Sequence, residues 1–450
     1  MIGSDWTGKT VSVIGLGIST TPLIGWLLDR GATVTARDKK AFEALSDEAR
    51  AYAARGVRFV CGEAYLEGLT DEVIFKAPGL RYDLPPIAEA VRNGAVLTSE
   101  MELFFELCPC RIFGVTGSDG KTTTTTLLYR CLSEEYGAEK VFVGGNIGKP
   151  LLPALDRMTP DCFAVVELSS FQLQTMRRSP DVSIITNVSP NHLDYHKDMA
   201  EYIEAKTNIY RYAKPGSVVI LNGENAVTKT LGADAPAGVT VKHFLTGETT
   251  VENGAIAYCG RPVLKTDEIL IPGRHNVENF SAVVCALQGY VRDETIRRVA
   301  RTFPGVEHRI ELVREKDGVR YYNSSIDSSP TRTAAALRSF AQKVIVICGG
   351  YDKHIPFEPL AEVLCEKAKT VVLTGATAGK IKEALTAYSG YREGAPRILG
   401  DPDFRGAVLT ACRAAEPGDV VILSPACASF DAFPNFEVRG RAFKEIIREL

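Results

Sequence analysis

The sequence is most informative at residues 115–122, which read Val-Thr-Gly-Ser-Asp-Gly-Lys-Thr. The apolar run at 112–115 precedes this stretch, and a helical pattern at 127–132 follows it. Glycines let a backbone curl so that its N–H groups face phosphate oxygens at a helix N-terminus, where Lys121 could reach the outer phosphates and the Thr122 hydroxyl could hold Mg²⁺. The strict pattern expects glycine at position 115, where this chain has valine. The order of strand, glycine loop and helix nevertheless predicts a nucleotide phosphate loop.

Short apolar runs alternate with helical patterns along the 450 residues, which is typical of an α/β protein of about three domains. We predict a Rossmann-like N-terminal domain at 1–98, a central P-loop ATPase-type domain at 99–304 and a Rossmann-like C-terminal domain at 305–450. Between Thr228 and Asp267 the pattern weakens into turn-rich pieces, which predicts an antiparallel appendage.

The composition argues against several classes of protein. A net charge of -3 provides no basic surface for nucleic acid or an anionic membrane. The polar stretch at residues 1–9 does not resemble a signal peptide, and no apolar run approaches the ~18 to 20 residues that span a bilayer. The 11 cysteines are scattered, several within apolar runs, which favours reduced thiols in a cytoplasm.

A second glycine turn contains Gly15 and Gly17 and is followed by Asp38, which is the spacing of a dinucleotide-binding fingerprint. Thr20 stands where that fingerprint has its third glycine, so the match is incomplete. An NAD-dependent dehydrogenase is therefore a remote alternative. The same turn also suits the diphosphate of a UDP-sugar, with Asp38 or Lys39 near the base.

Polar groups at strand ends are candidates for catalysis. Glu167 ends an apolar strand, as suits a Mg²⁺ ligand, although a solvated strand end is an equal alternative. His192 and Asp194 lie in a loop that follows another strand. Lys206 has the spacing of an ordinary helix-surface lysine.

With these pieces in order, the chain resembles the Mur ligase family over essentially its whole length. The resemblance rests on residues 116–122, 144–148, 167–173, 187–194, 273–279, 307–309, 424–433 and 435–440. The long run from 424 to 440 resembles the members of the family that add D-glutamate. The Asp-Asn-Pro-Arg motif of the diaminopimelate-adding relatives is absent.

The resemblance implies an ATP-dependent ligase that activates UDP-N-acetylmuramoyl-L-alanine as an acyl phosphate and joins it to D-glutamate. Such an enzyme serves cytoplasmic peptidoglycan synthesis, and through it cell-wall growth, cell shape and cell division. The implied cofactors are ATP, two Mg²⁺ ions and a carbamylated Lys206, and a monomer without nucleic-acid or membrane partners is expected. A Mur-type or folylpolyglutamate-type ligase for another amino acid is the alternative.

The resemblance also implies roles for individual residues. The catalytic residues would be Lys121, Glu167, His192 and Lys206. The metal ligands would be Thr122, Glu167, His192 and Lys206. ATP would be bound by Gly117, Ser118, Asp119, Gly120, Lys121, Thr122, Thr123, Asn276, Asn279 and Arg309. The UDP-substrate would be bound by Ile18, Ser19, Asp38, Lys39, Ala77, Pro78, Gly79 and Asn146, and D-glutamate by Ser328, Lys353, Ser429 and Phe436.

One segment departs from the family pattern Asn-Asp-Ser-Lys-Ala-Thr-Asn. Residues 323–329 read Asn-Ser-Ser-Ile-Asp-Ser-Ser, so Ser324 and Ile326 replace the usual Asp and Lys. Asp327 either supplies a substitute carboxylate for the nucleotide or caps the helix expected around Thr331 to Phe340.

Overall fold

The computed structural model describes residues 5–193 and 195–450. The chain forms two compact units. The first comprises the residues up to Lys265 together with Glu278–Val299, and the second comprises Thr266–Val277 together with Ala300–Leu450. Parallel sheets flanked by helices confirm the α/β class, while the domain boundaries after residues 98 and 304 stay a prediction. Within the described ranges, every helix falls short of the length and apolar character that a bilayer crossing demands.

The first sheet of the first unit is parallel, with the order β3-β2-β1-β4-β5. Its strands are β1 Thr10–Ile14, β2 Thr33–Asp38, β3 Arg58–Cys61, β4 Val73–Lys76 and β5 Val96–Thr98. The accompanying helices are α1 Thr20–Leu28, α2 Asp47–Ala51, α3 Pro85–Arg92 and α4 Glu100–Leu107. Apolar side chains alternate between the two faces, so that Phe75 joins the main core and Ile74 packs in a smaller core with Ile87 of α3.

The second sheet of this unit is also parallel and has the order β11-β10-β9-β6-β8-β7. Its strands are β6 Arg111–Thr116, β7 Val141–Gly145, β8 Phe163–Glu167, β9 Val182–Ile185, β10 Val218–Asn222 and β11 Thr240–Phe244. The helices among them are α5 Lys121–Tyr136, α6 Ser170–Leu173 and α7 Met199–Arg211. Because β9, β6 and β8 are neighbours, the segments that follow their carboxyl ends meet at one edge.

The predicted antiparallel appendage is only partly right. Strands β12 Thr249–Glu252, β13 Ala255–Tyr258 and β14 Arg261–Lys265 do form an antiparallel sheet. Strand β11, which the prediction placed in the same appendage, instead pairs in parallel with β10. Its Phe244 is fully buried, so the strand belongs to the main sheet. Helices α8 Arg274–Leu287 and α9 Asp293–Thr302 follow.

The second unit contains a six-stranded sheet with the order β15-β16-β20-β17-β18-β19, parallel except for β15. The strands are β15 Glu311–Lys316, β16 Val319–Asn323, β17 Val344–Gly349, β18 Ala368–Thr374, β19 Arg397–Gly400 and β20 Val420–Leu423. The helices are α10 Pro330–Arg338, α11 Glu358–Lys367, α12 Ala378–Ala387, α13 Phe404–Arg413 and α14 Phe436–Glu449. Two apolar clusters, one on each face, bury the central strands.

Candidate active site

The phosphate loop between β6 and α5 depends on two glycines. Gly117 has a φ of +149°, and a Cβ added there would lie 1.9 Å from Thr186 Oγ1. Gly120 has a φ of +78° and is the N-cap residue of α5. A Cβ added to Gly120 would lie 2.5 Å from Asn279 Oδ1. Both the backbone conformation and the space therefore require glycine at these positions.

The segment that follows β9 braces this loop. The Ser118 amide donates to Asn187 O at 2.9 Å, and the Asp119 amide donates to Asn187 Oδ1 at 3.0 Å. Thr186 Oγ1 donates to Asp119 O at 2.6 Å. Two motifs that are about 70 residues apart thus form one assembly, because their strands are adjacent in the sheet.

Two lysines converge on one backbone carbonyl. Lys121 Nζ donates to Gly117 O at 2.9 Å, and Lys206 Nζ donates to the same oxygen at 2.8 Å. Lys206 is only 1% exposed, so the surface position suggested by its spacing is wrong. Burial, reinforced by the charge of Lys121, holds the pKa of Lys206 well below its usual range. The fold therefore favours a neutral amine at this position.

Tyr202, one turn before Lys206 on α7, was not identified from the sequence. The Lys206 Nζ lies 4.5 Å from the centre of the Tyr202 ring, and the Tyr202 hydroxyl lies 3.0 Å from Ser118 Oγ. The ring thus covers the buried amine and links α7 to the phosphate loop. The i,i+4 spacing of Tyr202 and Lys206 was the available signal.

Glu167 is the last residue of β8 and is 1% exposed. Its Oε1 accepts a hydrogen bond from Asn146 Nδ2 at 2.8 Å, whereas its buried Oε2 has no hydrogen-bond partner in the described part of the chain. An added Cβ on Gly145 would lie 2.1 Å from the Glu167 carbonyl oxygen, so the approach of the two strand ends leaves no room for a side chain there. A buried carboxylate oxygen without a partner is costly unless a cation or donor completes it.

An aromatic cluster joins the segment after β8 to the segment after β9. The Phe171 ring lies 4.9 Å from the ring of His192 and 5.7 Å from that of His196. His192 is exposed, with a φ of +55°. His196, which the sequence did not single out, is buried with its Nε2 2.9 Å from Ser170 Oγ, and burial lowers its pKa. Asp194 lies outside the described residues.

These groups suit Mg²⁺ supported by phosphate better than a metal held by protein alone. In residues 5–193 and 195–450, no set of three or more His, Cys, Asp or Glu side chains assembles into a metal cage. Mg²⁺ usually keeps several waters and takes one or two protein oxygens together with substrate phosphates. The unpaired Glu167 Oε2 and the Thr122 hydroxyl at the start of α5 are oxygens of that kind.

The three residues predicted to face the nucleotide outside the loop lie in different places. Asn279 belongs to the first unit, where its Oδ1 accepts from Thr124 Oγ1 at 3.3 Å beside the phosphate loop. Asn276 belongs to the second unit, and its Nδ2 donates to Pro272 O at 2.6 Å. Arg309 is an exposed residue of the second unit.

The glycine turn after β1 is closed by side chains. Asp38 accepts from the Leu16 amide at 2.7 Å and from the Lys40 amide at 2.8 Å. The Thr20 hydroxyl donates to Gly15 O at 2.6 Å. Thr20 therefore fills the space that a third glycine leaves open in a dinucleotide fingerprint, and Asp38 already serves the backbone.

Asn146 directly follows β7 of the second sheet, whereas the other residues predicted for the UDP-substrate lie at this edge of the first sheet. Ile18 is 82% exposed, which is unusual for an isoleucine, and Ser19 is half-buried. Lys39 is exposed and lies 3.9 Å from Glu63. Residues 77–79 follow β4 directly.

Asp327 is buried in the second unit, with an exposure of 6%. Its Oδ2 accepts from Ser424 Oγ at 2.8 Å. Burial raises the pKa of Asp327 to about 6, although hydrogen bonds from Ser324 and Ser424 act in the opposite direction. The N-cap of α10 is Ser329, so the interpretation of Asp327 as the helix cap is wrong. The substitute-carboxylate interpretation stays a prediction.

Arg439, on α14, fastens two loops at the carboxyl edge of the second unit's sheet. It is 2% exposed and donates to Ser325 O at 2.9 Å and to Ala428 O at 3.0 Å. Ser325 Oγ in turn donates to Phe436 O at 2.8 Å. These hydrogen bonds connect the segments that carry three of the residues predicted for D-glutamate, namely Ser328, Ser429 and Phe436.

Lys353 lies at the same edge, in the loop after β17. The Tyr351 amide donates to Ala428 O at 3.0 Å and so joins this loop to the one after β20. The Lys353 side chain is exposed, whereas Ser429 is 2% exposed. Arg439 was not proposed as a site residue, but it lies within the run 435–440 that carried the resemblance.

Comparison with known proteins agrees with this architecture. The profile described as "Mur ligase middle domain" matches residues 115–287, and the profile described as "Mur ligase, glutamate ligase domain" matches residues 308–427. A protein of Clostridium novyi named UDP-N-acetylmuramoylalanine--D-glutamate ligase is 48% identical over 449 residues, covering 98% of this chain and 97% of its own. The chain belongs to the Mur ligase family. A protein of the same name from Acetivibrio thermocellus is also 48% identical, over 456 residues and 98% of this chain.

Solved structures of the family share the fold at low sequence identity. UDP-N-acetylmuramate-alanine ligase MurC from Thermotoga maritima has a TM-score of 0.58 at 19% identity and covers 98% of this chain and 99% of its own. The ADP complex of the MurF ligase from Thermotoga maritima has a TM-score of 0.53 at 18% identity and covers 100% of this chain and 98% of its own. Like other Mur ligases, this chain is an ATP-dependent ligase. The dehydrogenase alternative is set aside.

The buried carboxyl of Asp327 gives a prediction about stability. Its folded pKa of about 6 is above that of an unfolded Asp, so the folded state favours the protonated form. The ionised form therefore costs the folded state about 3 kcal/mol above pH 6, and the cost disappears below about pH 4. We expect Asp327→Asn to raise the Tm at pH 7.5 and to lose that advantage at pH 4, as measured by calorimetry.

The exposed carboxylate of Glu445 on α14 provides the control, and Glu445→Gln should leave the Tm unchanged at both pH values. If Asp327→Asn also lowers kcat/KM while raising the Tm, the carboxylate is retained for activity at a cost in stability. A Tm change of equal size at both pH values would contradict the burial argument.

Proposed function

We propose that this enzyme joins D-glutamate to UDP-N-acetylmuramoyl-L-alanine with hydrolysis of ATP, in the synthesis of peptidoglycan precursors in the cytoplasm. The observation that carries the proposal is the near full-length identity of 48% to proteins named for this reaction. The site supports it, because a phosphate loop, a buried carboxylate and a buried amine occupy one sheet edge.

The chemistry requires activation of a carboxylate. Transfer of the γ-phosphoryl group gives an acyl phosphate, which the amine of D-glutamate attacks to form an amide with release of phosphate. Both reactants in the first step are anions, so positive charge at the loop must offset their repulsion. Lys121, held at 2.9 Å from Gly117 O and 2.8 Å from Ser118 O, supplies that charge beside the loop amides.

Mg²⁺ held by the Thr122 hydroxyl and Glu167 Oε2, with His192 serving a second ion, would neutralise phosphate charge and orient the oxygens. The unpaired oxygen of Glu167 fits that role. Asn146 orients the carboxylate through its bond to Oε1.

Lys206 is the residue that we propose to be carbamylated. A neutral amine can attack CO₂, with formation of an N–C bond and release of one proton, and burial favours that neutral amine. The product is an anion beside the Lys121 ammonium, so an attraction between opposite charges replaces the contact with a neutral amine. It also offers a further oxygen ligand for Mg²⁺.

In the second unit, we assign the D-glutamate site to Ser328, Lys353, Ser429 and Phe436. Lys353 provides a cation for a carboxylate of the amino acid, and the Ser429 hydroxyl provides a hydrogen bond. Arg439 holds the connecting loops. The enzyme is expected to act as a monomer of three domains divided near residues 98 and 304.

The reaction is tested by phosphate release from ATP with UDP-N-acetylmuramoyl-L-alanine and a panel of D- and L-amino acids. Of the amino acids in the panel, we expect only D-glutamate to support turnover. Lys121→Ala should reduce this turnover by about 10³ or more, because charge at the transferred phosphoryl group is lost. Activity with a different amino acid would replace the proposed acceptor. Near-normal turnover of Lys121→Ala would refute the assignment of the loop.

Carbamylation is tested with Lys206→Ala, which we expect to be nearly inactive and partly rescued by acetate. Wild-type protein in ¹³C-bicarbonate should show a carbamate carbon signal by NMR that the variant lacks. Lys214→Ala, which removes an exposed lysine just beyond α7, should keep both the signal and the activity. A full signal in Lys206→Ala would disprove carbamylation at this position.

Lys353→Ala should raise the KM for D-glutamate by about tenfold or more and change the KM for ATP little, since a charge-assisted hydrogen bond is worth about 1.5–3 kcal/mol. Steady-state kinetics with each substrate varied in turn measure this difference. Lys382→Ala, an exposed lysine on α12, is the matched control. Equal effects on both KM values would instead place Lys353 at the nucleotide.

A further inference from the structure

Lys76 lies at the switch point of the first sheet. It is the last residue of β4 and pairs with Ile14, the last residue of β1. β1 has β2 on one side and β4 on the other, so the chain changes direction between these two strands. In open parallel sheets, ligands bind at the carboxyl edge of such a crevice.

The Lys76 side chain is 1% exposed, and its charge has no acidic partner in the described part of the chain. The hydrogen bond of its Nζ is to Pro78 O, at 3.4 Å. Burial alone lowers the pKa of Lys76 to about 8. A lysine kept in such a place, without a compensating carboxylate, is unfavourable for the isolated fold.

Arg37, a second buried cation of the same sheet, shows the usual solution. It is 2% exposed, lies 3.8 Å from Asp71, and donates to the carbonyls of Glu67 at 2.7 Å and Gly68 at 2.9 Å. Its charge is therefore satisfied within the fold. The contrast indicates that the charge of Lys76 is matched by something that binds at the edge.

The neighbouring backbone favours an anion as that ligand. The glycine turn after β1 leads into α1, a nine-residue helix with no acidic side chain in its first turn. The Ser19 side chain makes no capping hydrogen bond. The N-terminus of α1 thus presents positive potential at the carboxyl end of β1, and Lys76 adds a full charge at the adjacent strand end.

We propose that the Lys76 ammonium is the buried counter-charge for the diphosphate of the uridine nucleotide substrate. This inference rests on the proposed function and adds a binding residue to it. The residues assigned to the UDP-substrate above include one cation, Lys39, and that side chain is exposed and close to Glu63. Without Lys76, the two phosphates would have no buried positive partner.

Binding should then be linked to protonation. An anion beside Lys76 raises its pKa, so the protein takes up protons when UDP binds above pH 8. Other titratable groups at this edge are Asp38, whose carboxylate serves the Leu16 and Lys40 amides, and Cys61 and Tyr65, whose pKa values burial and Asp38 raise. The proton uptake of a variant without the lysine, subtracted from that of the wild type, gives the contribution of Lys76.

The test is isothermal titration calorimetry of the full chain with UDP, in two buffers of different ionisation enthalpy at pH 8.5. We expect proton uptake by the wild type, none by Lys76→Met, and a Kd that is about tenfold or more higher in the variant. Lys140→Met, which removes an exposed lysine of the same unit, should match the wild type.

The outcomes separate two failures. A wild type that binds neither UDP nor UDP-N-acetylmuramoyl-L-alanine would overturn the proposed function. A wild type that binds UDP with the same Kd and proton uptake as Lys76→Met would overturn only the role of Lys76. If Lys76→Met does not fold, the wild type and Lys76→Arg decide: uptake by the wild type and none by the arginine variant, with binding retained, supports the role, and absence of wild-type uptake refutes it.

Discussion

The carbonyl oxygen of Gly117 is the point on which the candidate active site depends. Two lysine side chains from different helices, Lys121 and Lys206, donate to it. Burial, reinforced by the nearby charge of Lys121, holds the pKa of Lys206 well below its usual range. The site is therefore short of negative charge, and phosphates, a carbamate or both would supply it. The neighbouring contacts of Thr186 and Asn187 keep the loop in the shape that makes this convergence possible.

Much of the fold could be predicted because its signals are local. The apolar runs at β1, β6 and β8 and the glycine turns after β1 and β6 lie within a residue or two of their observed places. The prediction failed where pairing is decided at a distance. Strand β11 has a weak pattern of its own, and it joins the main sheet because β10 offers a free edge and Phe244 a buried position. No window of sequence around β11 contains that information.

The site shows the same limit at the level of side chains. The spacing of the glycines, Lys121 and Thr122 predicted a phosphate loop. Lys206 looked like a surface residue, because helical spacing does not show what packs over a side chain. Asp327 was assigned two roles, and the structure rejects the cap because the backbone enters α10 at Ser329. Lys76 ends an apolar strand, as many solvated lysines do. The sequence does not show that this strand lies beside β1 at the switch point of the sheet, or that the lysine is buried there. The resemblance to a family implies a role for Lys206 that the pattern does not indicate, and that role stays a prediction.

The lack of space for a side chain at Gly117 and Gly145 has a consequence for inhibition. A side chain at Gly145 would collide with the Glu167 carbonyl, and one at Gly117 would collide with Thr186. Any single amino-acid replacement at these glycines therefore damages the fold of the loop before it can affect a bound inhibitor. A compound that contacts only the main-chain atoms of this edge is therefore less exposed to resistance, because a mutation changes side chains and leaves those main-chain atoms in place. Contacts with exposed side chains such as Lys353 or Ile18 are protected only by the proposed part of those residues in substrate binding, since replacing them costs nothing in packing.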